Sequence, residues 1–406
     1  YSETETNYAT QYISTSIVIG ALAAFFIRHL TVEIAWVCFV TLPAISAGML
    51  AISIRQTPVR SADRGGRGLT DHKGAVRPLA VRIKQDFFVL PADDSPRRLG
   101  VEPGDIVSAR IVDYPSRTES GVVTLERRIG DANEPSLGIE CVMARYGLVD
   151  GYPQAAVDEA ALLAVDVEGA LADPLRRDIR DRFVITIDPV DARDFDDAIS
   201  VARTVRGGWM LGVHIADVSH YVDWESAIDL EARRRSTSVY LADRVLPMLP
   251  EGLCNDLCSL RPDEDRLAFT VDIELDAQGR VRTYEPYPSV IRSRVRMDYG
   301  AADALLREGE PDGAALDAAA RGLAELAVEA ARANGVDLRA FLRNADALAR
   351  ARREIRRKRG SIDFDTPEVH VLLDEAGMPV DIVTRERTAA TSLVEEAMLL
   401  ANECVA

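Results

Sequence analysis

The chain is poor in cysteine. It has five, Cys38, Cys141, Cys254, Cys258 and Cys404, among 406 residues. They are scattered and odd in number, which excludes a disulfide scaffold and fits a reducing compartment, the cytoplasm. Cys254 and Cys258 lie four apart, but no second Cys or His pair completes a zinc site. Positive charge is scarce too: 48 Lys and Arg stand against 65 Asp and Glu, for a net charge of −17. That excludes a protein that coats nucleic acid with a uniformly basic surface, and it leaves room for a local basic groove. No basic segment precedes a short apolar core, so the start is not a secretory signal. With 47% apolar and 28% charged residues, 26 Gly and 19 Pro, the chain is neither wholly disordered nor collagen-like. Its length suits two or three domains.

Residues 1–60 lack net charge. They carry Glu3, Glu5, Arg28, Glu33, Arg55 and Arg60, which sum to zero, so the whole −17 belongs to residues 61–406. Two uncharged stretches, 6–27 and 34–54, flank a short charged turn, and the second has 21 residues. That is long enough to cross a hydrocarbon core of ~30 Å as a helix. The arginines that follow would keep the remainder on the cytoplasmic side. Three readings of this segment stay open: a membrane hairpin through residues 6–54, a soluble helical pair, or a stretch foreign to the functional unit. Residue 1 is Tyr and residue 406 falls inside a helical pattern, so the chain is expected to be a piece of a longer protein. Residues 55–75, with Arg64-Gly65-Gly66-Arg67-Gly68, predict a flexible Arg/Gly linker.

Residues 76–150 change to short β-rich runs: Leu79–Ile83, Phe87–Leu90, Asp105–Val112 and Gly121–Glu126. This spacing predicts a small all-β barrel of the OB type, which binds single-stranded nucleic acid. Phe87 and Phe88 are candidates for base stacking, although strand neighbours face opposite sides and one belongs in the core. Residues 151–180 predict a connecting helix, and residues 181–406 an α/β domain. Within it, Ala301–Asn334 is Ala-rich with helical periodicity and predicts a structural hairpin.

The chemistry concentrates in Phe183–Ser200. A β-branched run ends at Pro189, and five aspartates fall within ten residues: Asp188, Asp191, Asp194, Asp196 and Asp197. Carboxylates crowded into one site raise each other's pKa or bind cations. Oxygen donors at this density favour Mg²⁺, with Mn²⁺ as a substitute. Ions so held serve phosphodiester cleavage. A solvated acidic turn is the plain alternative. A calcium loop lacks its required Gly and terminal Glu.

The segment TIDPVDARDFDDAI (Thr186–Ile199) closely resembles the signature of the RNase II/RNase R (RNB) exoribonuclease family. The likeness runs on through Gly212–Val222, Arg233–Phe269, Arg356–Glu368 and Ser392–Ala406. It covers roughly Val76–Ala406, with the preceding β-domain similar to a cold-shock domain, and the RNase R branch is the nearer one. The resemblance implies processive 3′→5′ hydrolysis of single-stranded RNA to nucleoside 5′-monophosphates, with no action on DNA and no obligate protein partner. It implies Asp188, Asp194, Asp196 and Asp197 as catalytic and metal-binding carboxylates, with Asp191 outside the set. It assigns Glu396 to the reacting end, and Tyr240 and Phe364 to stacking on the 3′-terminal nucleotides. It also implies that the family's catalytic domain continues past the position of Ala406, and that a further OB-type domain follows.

Seven basic residues in Arg350–Arg359 face a single acid, Glu354. They form the strongest local positive charge, and Arg356, Arg357 and Arg359 are candidate phosphate contacts in a channel, as is Arg235. The other reading is a solvated helix face balancing Asp363 and Asp365. His214 and His220 flank Asp217, but no serine sits in a nucleophile elbow. His214 lies on a predicted strand and is expected to be packed or to touch phosphate.

Overall fold

The computed structural model describes residues 52–55, 74–79, 83–116, 119–131, 134, 137–307, 318–362, 368–374, 379–385 and 387–406. Five strands, β1 (Ile52–Arg55), β2 (Ala75–Pro78), β3 (Phe87–Phe88), β4 (Asp105–Asp113) and β5 (Gly121–Asp131), close a barrel in the order β1-β2-β3-β5-β4. The barrel therefore starts earlier than residue 76. Ile52–Arg55, which the sequence places at the join of apolar segment and linker, pairs with both β2 and β4. The next pairing strand covers Ala75–Pro78, ahead of the expected run over Leu79–Ile83. The core is Val76, Phe87, Val89, Val107, Val123 and Leu125. Phe87 fills it, and Phe88 is half-buried on the opposite side of the strand. A Cβ at Gly121 would meet the Phe87 ring at 2.6 Å, so only glycine lets β3 and β5 approach there. Two helices, α1 (Ser95–Arg98) and α2 (Leu137–Tyr146), pack on β5.

Residues 151–180 form two short helices, α3 (Gln154–Ala160) and α4 (Val167–Leu171), in place of one connecting helix, and then β6 (Arg177–Asp178). Asp166 caps α4 by accepting the Gly169 N–H at 2.9 Å. The connector is locked to the next domain by Arg176, which donates to Asp217 at 2.7 Å; both side chains are buried.

The large domain is built on a mixed sheet of order β12-β9-β8-β7-β13-β6. Its strands are β7 (Val184–Asp188), β8 (Asp197–Arg203), β9 (Trp209–Ala216), β12 (Asp265–Leu275) and β13 (Val281–Asp298). Strand β12 pairs with both β9 and β13, so the sheet curls on itself. One face, with Ile185, Ile187, Ile199, Leu211 and Val213, lies under α6 (Tyr299–Leu306), α7 (Ala318–Ala333), α8 (Leu338–Lys358) and α9 (Ala389–Val405). The other face, with Val184, Ala198 and Ala216, packs against α3, α5 (Ala227–Arg235) and the segment around Leu249–Leu260. Covered on both sides, β7 needs no polar alternation and reads as a continuous β-branched run. Helices α6 and α7 are the expected hairpin. Two short hairpins complete the fold, β10 (Val239–Tyr240) with β11 (Val245–Leu246), and β14 (Glu368–Leu373) with β15 (Pro379–Arg385).

Among the described residues no helix is long and apolar enough to cross a membrane. Residues 6–51 of the proposed hairpin lie outside the described residues.

Candidate active site

The aspartates sit where β7 ends and β8 begins. Pro189 stops strand pairing after Asp188, and the chain crosses to Asp197 through an irregular loop, 189–196. The loop is pinned along its length. Arg296 on β13 donates from Nη2 to the carbonyls of Pro189 at 3.3 Å and Val190 at 2.8 Å. Its guanidinium also lies 5.0 Å from the centre of the Phe195 ring. Ser259 Oγ donates to the Arg193 carbonyl at 2.9 Å and accepts the Phe195 N–H at 3.1 Å. The Leu260 N–H reaches Phe195 O at 2.9 Å, and the Ala216 N–H reaches Asp196 O at 2.8 Å. The Phe195 ring is buried in the core and anchors the loop from below.

These restraints hold carboxylates together against their repulsion. Asp188 is buried, and its Oδ2 has no hydrogen-bond partner. Burial, then the charge of Asp197, push its pKa up to about 8. Burial raises Asp197 to about 6. Asp196 is exposed at the surface of the loop, and desolvation, then the charges of Asp194 and Asp197, push its pKa up. Asp191 is exposed and outside the group.

Among the described residues, no three His, Cys, Asp or Glu side chains converge closely enough to hold an ion unaided. The donor set nevertheless fits Mg²⁺. It offers hard oxygens, an orphaned buried carboxylate oxygen, and mutual repulsion that a cation would relieve. Mg²⁺ characteristically takes one or two carboxylates and completes its shell with water and substrate phosphate.

Tyr240 reaches this loop from β10. Its hydroxyl donates to Asp194 Oδ2 at 3.0 Å, while the residue stays 63% exposed. An exposed ring tethered at the carboxylates can receive a base. Phe364 lies outside the described residues, as do Asp363 and Asp365.

Other candidate residues are engaged elsewhere. Glu396 is buried and accepts from Arg356 at 2.6 Å. Burial raises its pKa, and the charges that act on it most are Arg356, Glu395, Arg353 and Arg352, not the aspartates. It lines a narrow cavity with Ile199, Leu348 and Leu400 under α8 and α9. Arg359 pairs with Glu403 at 3.2 Å, as buried Arg352 does at 2.6 Å. One side of the basic stretch therefore neutralises α9. Arg357, paired with Glu354 on its own helix, points to solvent. Arg235 is consumed structurally: it pairs with Glu231 at 2.8 Å, donates to Gly151 O, and stacks 4.0 Å over Tyr152.

His214 is fully buried between Ser200 Oγ, at 3.0 Å, and Thr270 Oγ1, at 2.8 Å. Desolvation lowers its pKa to about 3, so it is a neutral packed residue and touches no phosphate. Cys254 and Cys258 are free thiols, and burial raises both, Cys254 to about 12, which argues against thiolate ligands.

Sequence reasoning missed Ser259 and Arg296. Both lie far along the chain from the loop they hold. A Leu253–Leu257 π-helix just before Ser259 is a local irregularity of the kind that accompanies functional sites, and it has no sequence signature.

Known proteins resemble this chain in sequence and fold. The RNB domain model matches residues 176–406, and the cold shock domain model matches residues 76–153. Ribonuclease R of Thermotoga maritima is 40% identical over 368 residues, which is 86% of this chain and 47% of the relative. Ribonuclease R of Aquifex aeolicus is 37% identical over 306 residues, 75% of this chain and 41% of the relative. The structure of Mycoplasma genitalium RNase R in complex with double-stranded RNA superposes with a TM-score of 0.70 at 27% identity, covering 87% of this chain and 56% of that one. The chain spans about half the length of the curated relatives it matches. The match to the RNB model covers more than half of the chain, and the acidic loop lies within it, so the chain belongs to the RNB domain family.

Proposed function

We propose that the chain carries the active centre of a 3′→5′ exoribonuclease that hydrolyses single-stranded RNA to nucleoside 5′-monophosphates and depends on Mg²⁺, with Mn²⁺ as a substitute. One observation carries this reading: a set of mutually repelling carboxylates, with one buried Asp188 oxygen left without a partner, lies next to an exposed tyrosine bonded to Asp194. Family membership supports RNA as substrate, and the direction of attack is our proposal, in line with the resemblance noted in the sequence. Cys254 and Cys258, which form no disulfide, suit a cytoplasmic setting.

In this reading Asp188 and Asp197 hold the ion directly, and Asp194 and Asp196 face the substrate side. The ion would supply an activated water and charge stabilisation on the phosphate. Tyr240 offers its ring to the terminal base, and its bond to Asp194 fixes the base relative to the carboxylates. Stacking is indifferent to base identity, as a degradative enzyme requires. Arg296 balances part of the negative charge and shapes the loop. Asp196, the most open of the set, is the residue whose loss should harm chemistry more than ion affinity.

The test uses 5′-labelled single-stranded RNA with the chain and its Asp196→Asn variant, in Mg²⁺ and in chelator, read on a sequencing gel. Progressive shortening from the 3′ end that is lost in the variant and in chelator is the expected result, with a matched DNA left intact. RNA that is bound but uncut by the unaltered chain would show a holding fragment that needs the remainder of a longer protein.

A further inference from the structure

The acidic loop has restraints at its two ends, from Arg296 at residues 189 and 190 and from the Ala216 N–H at Asp196. Its middle has no strand or helix to shape it. There the two bonds of one hydroxyl bracket Asp194, to the carbonyl before it and to the N–H after it. Ser259 is fully buried, and its single donor and a lone pair both go to this loop. Its own position is fixed independently. The Ser259 N–H bonds Asp256 O at 3.2 Å, and buried Arg266 donates from Nε to Ser259 O at 2.9 Å. The next residue adds the Leu260 bond to Phe195 O. The same stretch of chain is tied toward the Tyr240 hairpin, because Tyr152 bonds the carbonyls of Pro247 and Leu249 at 2.6 Å and the Met248 N–H bonds Ser238 Oγ at 3.0 Å.

We infer that Ser259 is a positioning residue for the cation site: its hydroxyl fixes the course of the loop that joins Asp188 to Asp197, and thereby the affinity of that carboxylate pair for a divalent cation. The inference rests on the reading of the aspartates as ion ligands. Without the hydroxyl, a buried N–H and a part-buried carbonyl lose their partner, and the repelling carboxylates are free to drift apart. Groups that orient ligands without touching the ion typically alter affinity by ~10–100-fold when removed.

The experiment is a Mn²⁺ titration of the full chain without RNA, read by electron paramagnetic resonance. It compares the unaltered chain with Ser259→Ala, Ser259→Cys and Asp188→Asn. Cysteine is nearly isosteric and keeps a weak donor and acceptor. The expected order of affinity is Ser, then Cys, then Ala, with Ala weaker by about tenfold. RNA affinity in chelator should stay within about twofold for both Ser259 variants, which a general loss of fold would not allow. Equal Mn²⁺ affinity in the unaltered chain and both Ser259 variants overturns the inference. If the unaltered chain binds no Mn²⁺ that Asp188→Asn removes, the metal reading itself fails and the inference falls with it, a result distinct from the first.

Discussion

Asp105 in the barrel and Asp188 at the end of β7 are nearly equally hidden, 4% and 6% exposed, and their surroundings are opposite. Asp105 receives a two-pronged contact from Arg128, at 2.7 and 2.8 Å, and the Glu102 N–H at 2.7 Å. These bonds hold its pKa below the usual carboxylate range. Asp188 keeps an oxygen without any partner and faces another carboxylate, and its pKa rises to about 8. The barrel spends its buried charge on its own architecture. At Asp188 the large domain leaves a buried carboxylate unsatisfied, which costs stability and suits the site to a cation. Burial alone does not separate these two carboxylates; the presence or absence of a cationic partner does.

The contrast can be broken from either side. Arg128→Ala would leave buried Asp105 without its cation and should give the largest loss of stability, a clear drop in the urea unfolding midpoint. An unchanged midpoint would mean that the pair acts as a surface bridge only.

The pH dependence sharpens it. In chelator, Asp188 has a raised folded pKa, so its contribution is complete below its unfolded value and is lost as pH rises through about 8. The metal-free chain should therefore be about 2 kcal/mol more stable at pH 6.5 than at pH 8.5. Asp188→Asn should flatten that slope, and an unchanged slope in the variant would remove Asp188 as its source. His214 acts with the opposite sign. Its folded pKa is depressed to about 3, so its contribution is complete above 6.5 and declines as pH falls below that value. Stability in chelator should accordingly stop climbing, or climb less steeply, below pH 6.5.

Tyr240→Ala should weaken binding of a single-stranded RNA 3′ end by about 1–2 kcal/mol in fluorescence anisotropy, as one lost stacking contact predicts. Tyr240→Phe should keep that affinity while freeing Asp194. Equal losses in both variants would place the effect in the hydroxyl and not in the ring. The smallest change is expected at Arg357→Ala. Its pair with Glu354 is exposed and lies within one helix, so unchanged RNA affinity is expected, and a clear loss would mark Arg357 as a phosphate contact.

Much of this was legible in the chain. The acidic cluster could be read because its members are near neighbours in sequence, and a strand end followed by Pro189 already places them on one loop. The barrel could be read from short β-branched runs and turn residues, and the Phe87/Phe88 division from strand alternation. The basic stretch Arg350–Arg359 shows where such reading stops. Its charge is plain in the sequence, but its helical face meets Glu396 and Glu403, some forty residues later, and this turns candidate phosphate ligands into struts. Arg235 followed the same course, taken up by Glu231 and Tyr152.

The sequence by itself determined the chemistry within reach of local geometry: a carboxylate loop between two strands, a β-barrel ahead of it, and the family to which both belong. Tertiary structure alone decided which charges are satisfied and which are left over. It brought Ser259 and Arg296 to the loop and Tyr240 over Asp194, and it turned Glu396 and His214 inward. The reason is physical. Backbone periodicity and turn preference act over a few residues, whereas hydrogen bonding and desolvation depend on every group that packing brings near, however distant along the chain.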